Sequence, residues 1–469
     1  MKIAYMHFHL KTGGVTTVIR QQVETLKNAC EAVVLSGVLP ETDFPCKVIP
    51  IPGIGYDSDI NRRMDPGKTA DAVIEAIFSH WPGGCDILHV HNPILAKNRN
   101  YLKILKRLQD KGLRLFLQIH DFAEDGRPGV YFKDDYISDC HYGVINSRDY
   151  DILIKSGLKP EGLHRVGNMV TPLPTDPEPG DVKGHILYPV RAIRRKNIGE
   201  AILLACFFPE NRPLLITLPP NSPADFPAYE SWKRFVSRHT LNVEFEAGLK
   251  NDFISLVHSS ASLVTTSISE GFGFSFMEPW TAGKYLWGRD LTGITDDFKI
   301  NNIALDHLYT KIRTPLKWLV PDGFFHVWRK AVLDNLALFG LESERFTIRE
   351  EFNRLVSDGT IDFGLLNEKS QQTVINRILK SRENKKQFKK LNPFLADCGR
   401  SSVEASVTAS NCALVKDRYS AGVYRETLMA AYGAVLSRNP IQSIDKTKLL
   451  SEFFRFDSFS LLKWGRHDT

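Results

Sequence analysis

The chain has 469 residues, with 60 Lys and Arg against 54 Asp and Glu, a formal net charge of +6. That length exceeds the roughly 250–300 residues at which a single core stops growing, so two domains are expected. The small cationic excess suits an anionic ligand or contact with a membrane surface, without requiring nucleic acid. The seven cysteines are spread through the chain and never form a Cys-x-x-Cys pair, which argues against a disulfide frame or zinc ribbon and for reduced thiols in the cytoplasm. Met1 to His7 reads as a first strand rather than a leader. Apolar runs such as Ala201 to Phe208 are shorter than the ~20 residues that span a bilayer, so no transmembrane segment is expected.

In the first 170 residues, apolar runs near 2–8, 31–36, 46–51, 86–91, 113–120 and 141–146 read as strands. Helical periodicity fills the gaps, clearest at Thr17–Leu26, Thr69–Trp81 and Asn100–Lys111. Alternation of this kind predicts a parallel, doubly wound α/β sheet. Its first strand runs into Gly13-Gly14 and a helix, where such sheets cradle a phosphate, and the third glycine of the dinucleotide fingerprint is missing. His7 and His9, then His89, His91 and Asn92, then His120 and Asp121 fall where strands end. His89 and His91 share a strand face, so they can line one edge of the sheet with His120 or, as the sharper alternative, hold zinc.

Thr171 to Gly180 contains four prolines and predicts a semi-rigid linker. A second α/β alternation follows, with strands at His185–Val190, Leu214–Leu218, Val243–Ala247, Leu263–Thr266 and Tyr285–Gly288. Its helices are expected at Ile198–Phe208, Tyr229–His239 and Asp252–Ser259. Arg191, Arg194, Arg195 and Lys196 crowd the end of its first strand, a cluster able to neutralise a diphosphate or to form a solvated turn. Further on, Glu270-Gly271-Phe272-Gly273-Phe274-Ser275-Phe276-Met277-Glu278 sets two carboxylates eight positions apart around a glycine turn. Ser275-x-x-Glu278 reads as a capping box opening a helix, so Glu278 either caps that helix or meets a ligand. Residues 300–405 carry charged helical patterns at Asp322–Leu338, Ser343–Leu355 and Lys369–Asn384, and Asp362-Phe363-Gly364 reads as a turn.

Gly13-Gly14, His120-Asp121, Arg191-x4-Lys196 and Glu270-x7-Glu278, in that order, resemble the retaining glycosyltransferases of family 4, over roughly residues 1–298 and again near 412–435. Val190 and Asn197 stand where that family usually has glycine. The resemblance implies a GT-B fold, with two Rossmann-like doubly wound domains facing across a cleft; residues 300–405 fit the family poorly and read as a helical insertion in the second. It assigns 1–171 to an acceptor domain, 172–181 to the linker and 182–440 to a nucleotide-sugar domain with the insertion at 300–405. Residues 441–469, with Leu449–Trp464 as the candidate, would then return to the first domain.

The implied reaction moves a hexose, mannose or glucose, from GDP-mannose or UDP-glucose to a hydroxyl of a glycoside, sugar acid or glycan. No cofactor or metal is needed. Arg191 and Lys196 would balance the departing diphosphate, helped by Gly13 and Gly14. Glu270 would orient the donor sugar beside Phe272, Gly273 and Phe274, Glu278 would accept from the ribose, and His120 would sit on the C6 side. His91, Asn92, Asp121, Ser147 and Arg148 are the implied acceptor contacts, and the insertion either recognises the acceptor or buttresses its domain. Two other classes remain, a catalytically silent sugar-nucleotide-binding protein and a glycoside hydrolase using Glu270 and Glu278 as its carboxylate pair.

Overall fold

The computed structural model describes residues 1–58, 64–174, 184–342, 347–399 and 405–465. The chain divides into two compact units, Met1–Met169 with Tyr419–Phe454, and Val170–Arg418 with Arg455–Thr469. Most of the predicted linker, from 175 to 181, lies outside the described residues.

The first unit is built on strands β1 (Lys2–His7), β2 (Glu31–Ser36), β3 (Lys47–Pro50), β4 (Ile87–His91), β5 (Leu115–Ile119), β6 (His141–Val144) and β7 (Leu163–Arg165). All are parallel, in the order β3-β2-β1-β4-β5-β6-β7. Alternate residues of one strand feed different layers, as the two-residue period requires. Ala4 and Met6 join the core with Val33, Leu88 and Leu117, whereas Ile3 and Tyr5 join the one with Val34, Phe116 and Tyr432.

The chain crosses into this unit earlier than the resemblance implied. The helix Ala421–Ser437 belongs here because Tyr424, Leu428, Tyr432 and Val435 form one buried stripe. The Tyr432 hydroxyl lies 3.1 Å from that of Tyr5 and 2.9 Å from Nδ1 of His89. The terminal segment is also not a single returning helix. Lys446–Phe453 packs on the first unit, with Phe453 against Phe122, while Phe459 packs on Trp328 of the second unit and Trp464 on Phe339.

In the second unit, β8 (His185–Arg191), β9 (Leu214–Leu218), β10 (Val243–Glu244), β11 (Ser260–Thr265) and β12 (Leu286–Gly288) form a parallel sheet ordered β10-β9-β8-β11-β12. β10 is shorter than expected because Glu246 turns left-handed, with φ 63°, and a helix starts at Ala247. Two short strands of the insertion, β13 (Arg313–Pro315) and β14 (Thr360–Asp362), pair antiparallel. Its helices run Pro321–Phe339, Ile348–Leu355, Glu368–Lys380 and Arg382–Leu391. The helix expected at Lys369–Asn384 ends at Lys380. Ser381 is extended instead, and its side chain caps Asn384 N of the helix Arg382–Leu391.

Candidate functional site

Open α/β sheets take ligands at the carboxyl ends of strands where the strand order reverses. In the second unit that point lies between β8 and β11, and both chemically loaded segments leave from there. The turn Arg194–Lys196 follows β8 and ends on Asn197, which is left-handed at φ 51° and ψ 52°. This explains the departure from glycine at 197, since Asn tolerates that region better than most side chains. Ile268 N donates to the Arg195 carbonyl at 2.9 Å, and Arg195 Nη1 donates to the Ser269 carbonyl at 3.1 Å, so the two segments are stitched together.

Lys196 Nζ donates to Glu270 Oε1, while Arg195 Nη1 lies 3.7 Å from Glu270 Oε2. Burial alone would push the Glu270 carboxyl up; Lys196 and Arg195 outweigh it and hold the group below the usual carboxylate range. The Arg191 side chain is exposed and has no ion pair or hydrogen bond among the described residues. Arg194 does not join a diphosphate site: it grips Glu368 at 2.6 and 2.9 Å and donates to the Gly465 carbonyl at 2.7 Å.

The capping box does not form. Residues Phe274–Phe276 make one tight turn, the following helix is only Glu278–Thr281, and among the described residues no side chain caps either and the buried Ser275 Oγ has no partner. Gly273, at φ 93°, makes the bend that breaks the expected helix, and a Cβ there would meet Ile294 and Phe276 at 3.0 Å. The Glu278 side chain therefore caps neither turn. It is half-buried with no hydrogen-bond partner among the described residues. Burial raises its carboxyl to about 7, against the pull of Lys196. Phe272 is buried against Phe298, and Phe274 stands half-buried beside it.

The first unit reverses strand order between β1 and β4. Gly13 and Gly14, after β1, are exposed at the uncapped start of the helix Gly14–Leu26, and a Cβ on Gly14 would meet nothing within 4 Å. After β4, Asn92 is left-handed at φ 52°, and its Oδ1 accepts from His120 N at 2.8 Å and Asp121 N at 3.1 Å. His120 Nε2 and His91 Nδ1 lie 2.8 Å apart in stacked rings. Burial pushes His120 down to about 4 and His91 well below the usual histidine range, so both are neutral near pH 7. His89 is consumed structurally, bonded to Tyr432 and, at 2.9 Å, to Gln118.

Of the other expected acceptor contacts, Asp121 pairs with Arg127 at 2.7 Å and Arg148 with Asp149 at 2.8 Å. Ser147 opens the helix Ser147–Lys155 and lines a cavity of about 660 Å³ with Tyr150, His164 and Arg165. Among the described residues no three His, Cys, Asp or Glu side chains converge as metal ligands, and no helix is long and apolar enough to cross a membrane. All seven cysteines are unpaired. Sequence reasoning missed Glu200 and Arg289, a buried pair behind the cationic turn. The available signal was Gly288-Arg289-Asp290, a charged pair directly after a strand.

No family model matches the chain. It is 26% identical over 402 residues to the mannosylglucosyl-3-phosphoglycerate synthase of Petrotoga mobilis, covering 77% of this chain and 78% of that protein. Among solved structures it is similar to Anabaena Alr3699/HepE in complex with UDP and glucose, with a TM-score of 0.53 and 11% identity over 92% of this chain and 98% of the other. The fold is GT-B. The sucrose-phosphate synthase of Thermosynechococcus elongatus gives a TM-score of 0.51 at 12% identity, with 92% and 98% coverage. In the second unit Lys196 is paired with Glu270 and also acts electrostatically on Glu278, so the cationic turn and both glutamates share one neighbourhood.

Proposed function

We propose that this chain is a metal-independent, retaining glycosyltransferase that moves a hexose from a nucleotide diphosphate sugar to a hydroxyl of a glycoside, sugar acid or glycan. The observation that carries the reading is Glu278: a half-buried carboxyl with no hydrogen-bond partner among the described residues, on the segment whose other glutamate is paired to Lys196. Partial desolvation of an ionised carboxyl costs free energy, and ribose hydroxyls donating to Glu278 would offset it. The Petrotoga relative's name describes a glycosylated sugar acid, which supports mannose as the hexose and an anionic glycoside as the acceptor. The structure of Alr3699/HepE holds UDP and glucose, which supports a nucleotide diphosphate donor.

In this reading the bond from the anomeric carbon to the diphosphate breaks, and one to the acceptor oxygen forms on the same face. The acceptor's proton passes to the leaving diphosphate. Arg191, unpaired and exposed, meets that diphosphate first. Lys196 then exchanges part of its bond to Glu270 for the phosphate oxygens as their charge grows, supplying the positive charge that a divalent ion would otherwise bring. Glu270, held ionised, orients the sugar through its hydroxyls. His120, neutral, serves the C6 side as a hydrogen-bonding group rather than as a cation. Asn92, His91, Asp121, Ser147 and Arg148 form the acceptor side, Asn92 and Arg148 acting mainly by holding their neighbours.

Calorimetric titration of GDP and UDP in EDTA tests this directly. Micromolar binding of one of them, with turnover of its mannose or glucose conjugate in EDTA, is expected. Failure of both to bind, or restoration of activity only by added metal, would overturn the reading. One feature favours the hydrolase alternative: Glu270, whose carboxyl Lys196 and Arg195 hold below the usual range, lies close in sequence to Glu278, whose carboxyl burial raises to about 7, the kind of division of labour that glycosidases use. Release of p-nitrophenol from nitrophenyl hexosides without any nucleotide would decide for it.

A further inference from the structure

The turn that carries Lys196 is held from behind by the segment at 300–405. Arg289, directly after β12, is buried and uses all five of its N–H groups. Nε and Nη2 reach the two Glu200 oxygens at 2.8 and 2.6 Å. Nη1 and Nη2 reach Asp362 of β14 at 2.7 and 2.8 Å, and Nη1 also reaches the Thr310 carbonyl at 3.1 Å. Glu200, fully buried on the first turn of the helix Ile198–Ala205, accepts as well from the Tyr309 hydroxyl and from Asn197 Nδ2, each at 2.8 Å.

Asn197 is the residue after Lys196, and its side chain is a bridge. One end meets Glu200; the other, Oδ1, accepts from Nε2 of Gln371 at 2.9 Å. Gln371 is fully buried on the insertion helix Glu368–Lys380, which approaches so closely that a Cβ on Gly199 would fall 2.2 Å from Gln371 Oε1. The same helix supplies Glu368, which holds Arg194 on the other flank of the turn. Both ends of Arg194–Asn197 are thus tied to one helix of the insertion, and Lys196 lies between them.

We infer that the insertion is a positioning element of the donor half-site, in which Gln371, with the Glu200–Arg289–Asp362 cluster behind it, holds Asn197 left-handed and so aims Lys196 at the donor diphosphate. The inference deepens the proposed function and rests on its reading of this turn as a diphosphate site. Of the two roles open to the insertion, recognising the acceptor or buttressing its domain, this favours the second: the insertion residues that reach a functional segment reach the cationic turn. Lysine needs such support because its ammonium is a point charge on a flexible stem, directed only by its backbone and its partners. Loss of one supporting bond should therefore loosen the grip on phosphate and leave the base and ribose untouched.

The test compares wild type with Gln371→Met, Asn197→Gly and the double variant. GDP and UDP are titrated calorimetrically, and guanosine and uridine by ligand-observed NMR. Gln371→Met is expected to weaken the diphosphates about tenfold, the size of one strongly coupled contact, without changing nucleoside affinity. In the Asn197→Gly background the Gln371 change should add nothing, because the bond it removes is already gone. If Gln371→Met does not fold, Glu368→Gln, whose side chain is 16% exposed, carries the same expectation for the ratio of diphosphate to nucleoside affinity. An unchanged ratio in a folded variant, or additive losses in the double variant, overturns the inference and leaves the donor reading standing. Absence of diphosphate binding by wild type overturns both.

Discussion

The Lys196 ammonium donates to Oε1 of Glu270, so without donor the main cation of the turn is neutralised by the group expected to hold the sugar. The two roles are coupled: recruiting Lys196 to phosphate frees Glu270 to accept from sugar hydroxyls. Lys196→Met should lower turnover by about 10²–10³-fold, the usual cost of removing a preorganised charge at the leaving group. It should also change how stability depends on pH. In wild type the depressed Glu270 pKa adds stability that is present above the ordinary carboxylate range and lost as pH falls through the folded value. Without Lys196 its largest stabilising charge is gone, burial gains weight, and the advantage at high pH shrinks. The gap in Tm between variant and wild type should widen from pH 5 to pH 8; a constant gap would place Lys196 outside this electrostatic unit.

Glu278 behaves in the opposite sense. Its carboxyl is raised from 4.5 to about 7 by burial, so the folded chain prefers it protonated. That contribution to stability is fully present below the unfolded value and is lost as pH rises through the folded one. Glu278→Gln removes the titration. The variant should match wild type in Tm at pH 4 and exceed it at pH 8, by roughly 2–4 °C for each kcal/mol recovered, while nucleotide affinity falls about tenfold. A pH–activity limb near 7 that disappears in the variant would be the kinetic counterpart. Equal thermal stability at both pH values would show that the carboxyl is ionised in the folded chain.

Two arginines three positions apart should separate cleanly. Arg194 is buried in a bidentate bond to Glu368, with side chains 8% and 16% exposed, whereas Arg191 is open. Arg194→Ala leaves Glu368 largely buried and unpaired, and should cost about 3–5 kcal/mol of stability. Arg191→Ala should stay within about 0.5 kcal/mol of wild type in stability and lose about tenfold in GDP or UDP affinity, with the loss shrinking at high salt. Chemical denaturation and calorimetry on both variants check the pair. Reversed results would exchange the structural and ligand-binding roles.

The sheets were legible because buried parallel strands are short apolar runs, and the runs in the sequence match β1 to β6 within a few residues. The candidate site was legible as four motifs, each local in sequence. What could not be read was long-range pairing. Arg289 meets Glu200 across 89 positions and Asp362 across 73, and no periodicity encodes such a bond. Asp362-Phe363-Gly364 consequently looked like an idle turn. Ser275-x-x-Glu278 failed for a different reason: Gly273, packed against Ile294 and Phe276, bends the chain before a helix can form, and tertiary packing overrides the local signature. The crossing of Ala421–Ser437 was misplaced because its buried tyrosines look alike whichever core receives them.

Asn92 gives the sharpest test of the first unit. It does two things at once: it occupies a left-handed conformation at φ 52°, and its Oδ1 receives the N–H groups of His120 and Asp121. Asn92→Asp keeps the oxygen and tolerates the conformation, so it should fold and act close to wild type. Asn92→Gly adopts the conformation freely but removes the acceptor, leaving two buried or half-buried N–H groups unpaired at a cost of about 1–3 kcal/mol. The His120 segment should then be held less tightly, by the bond of His120 to His91 and the pair of Asp121 with Arg127. If His120 serves the sugar and the second unit holds the nucleotide, Asn92→Gly should lose transfer about tenfold while GDP or UDP affinity stays constant. Equal losses in transfer and nucleotide binding would show that the segment after β5 contributes to the nucleotide itself. An unchanged transfer rate in a correctly folded Asn92→Gly variant would remove His120 from the reaction.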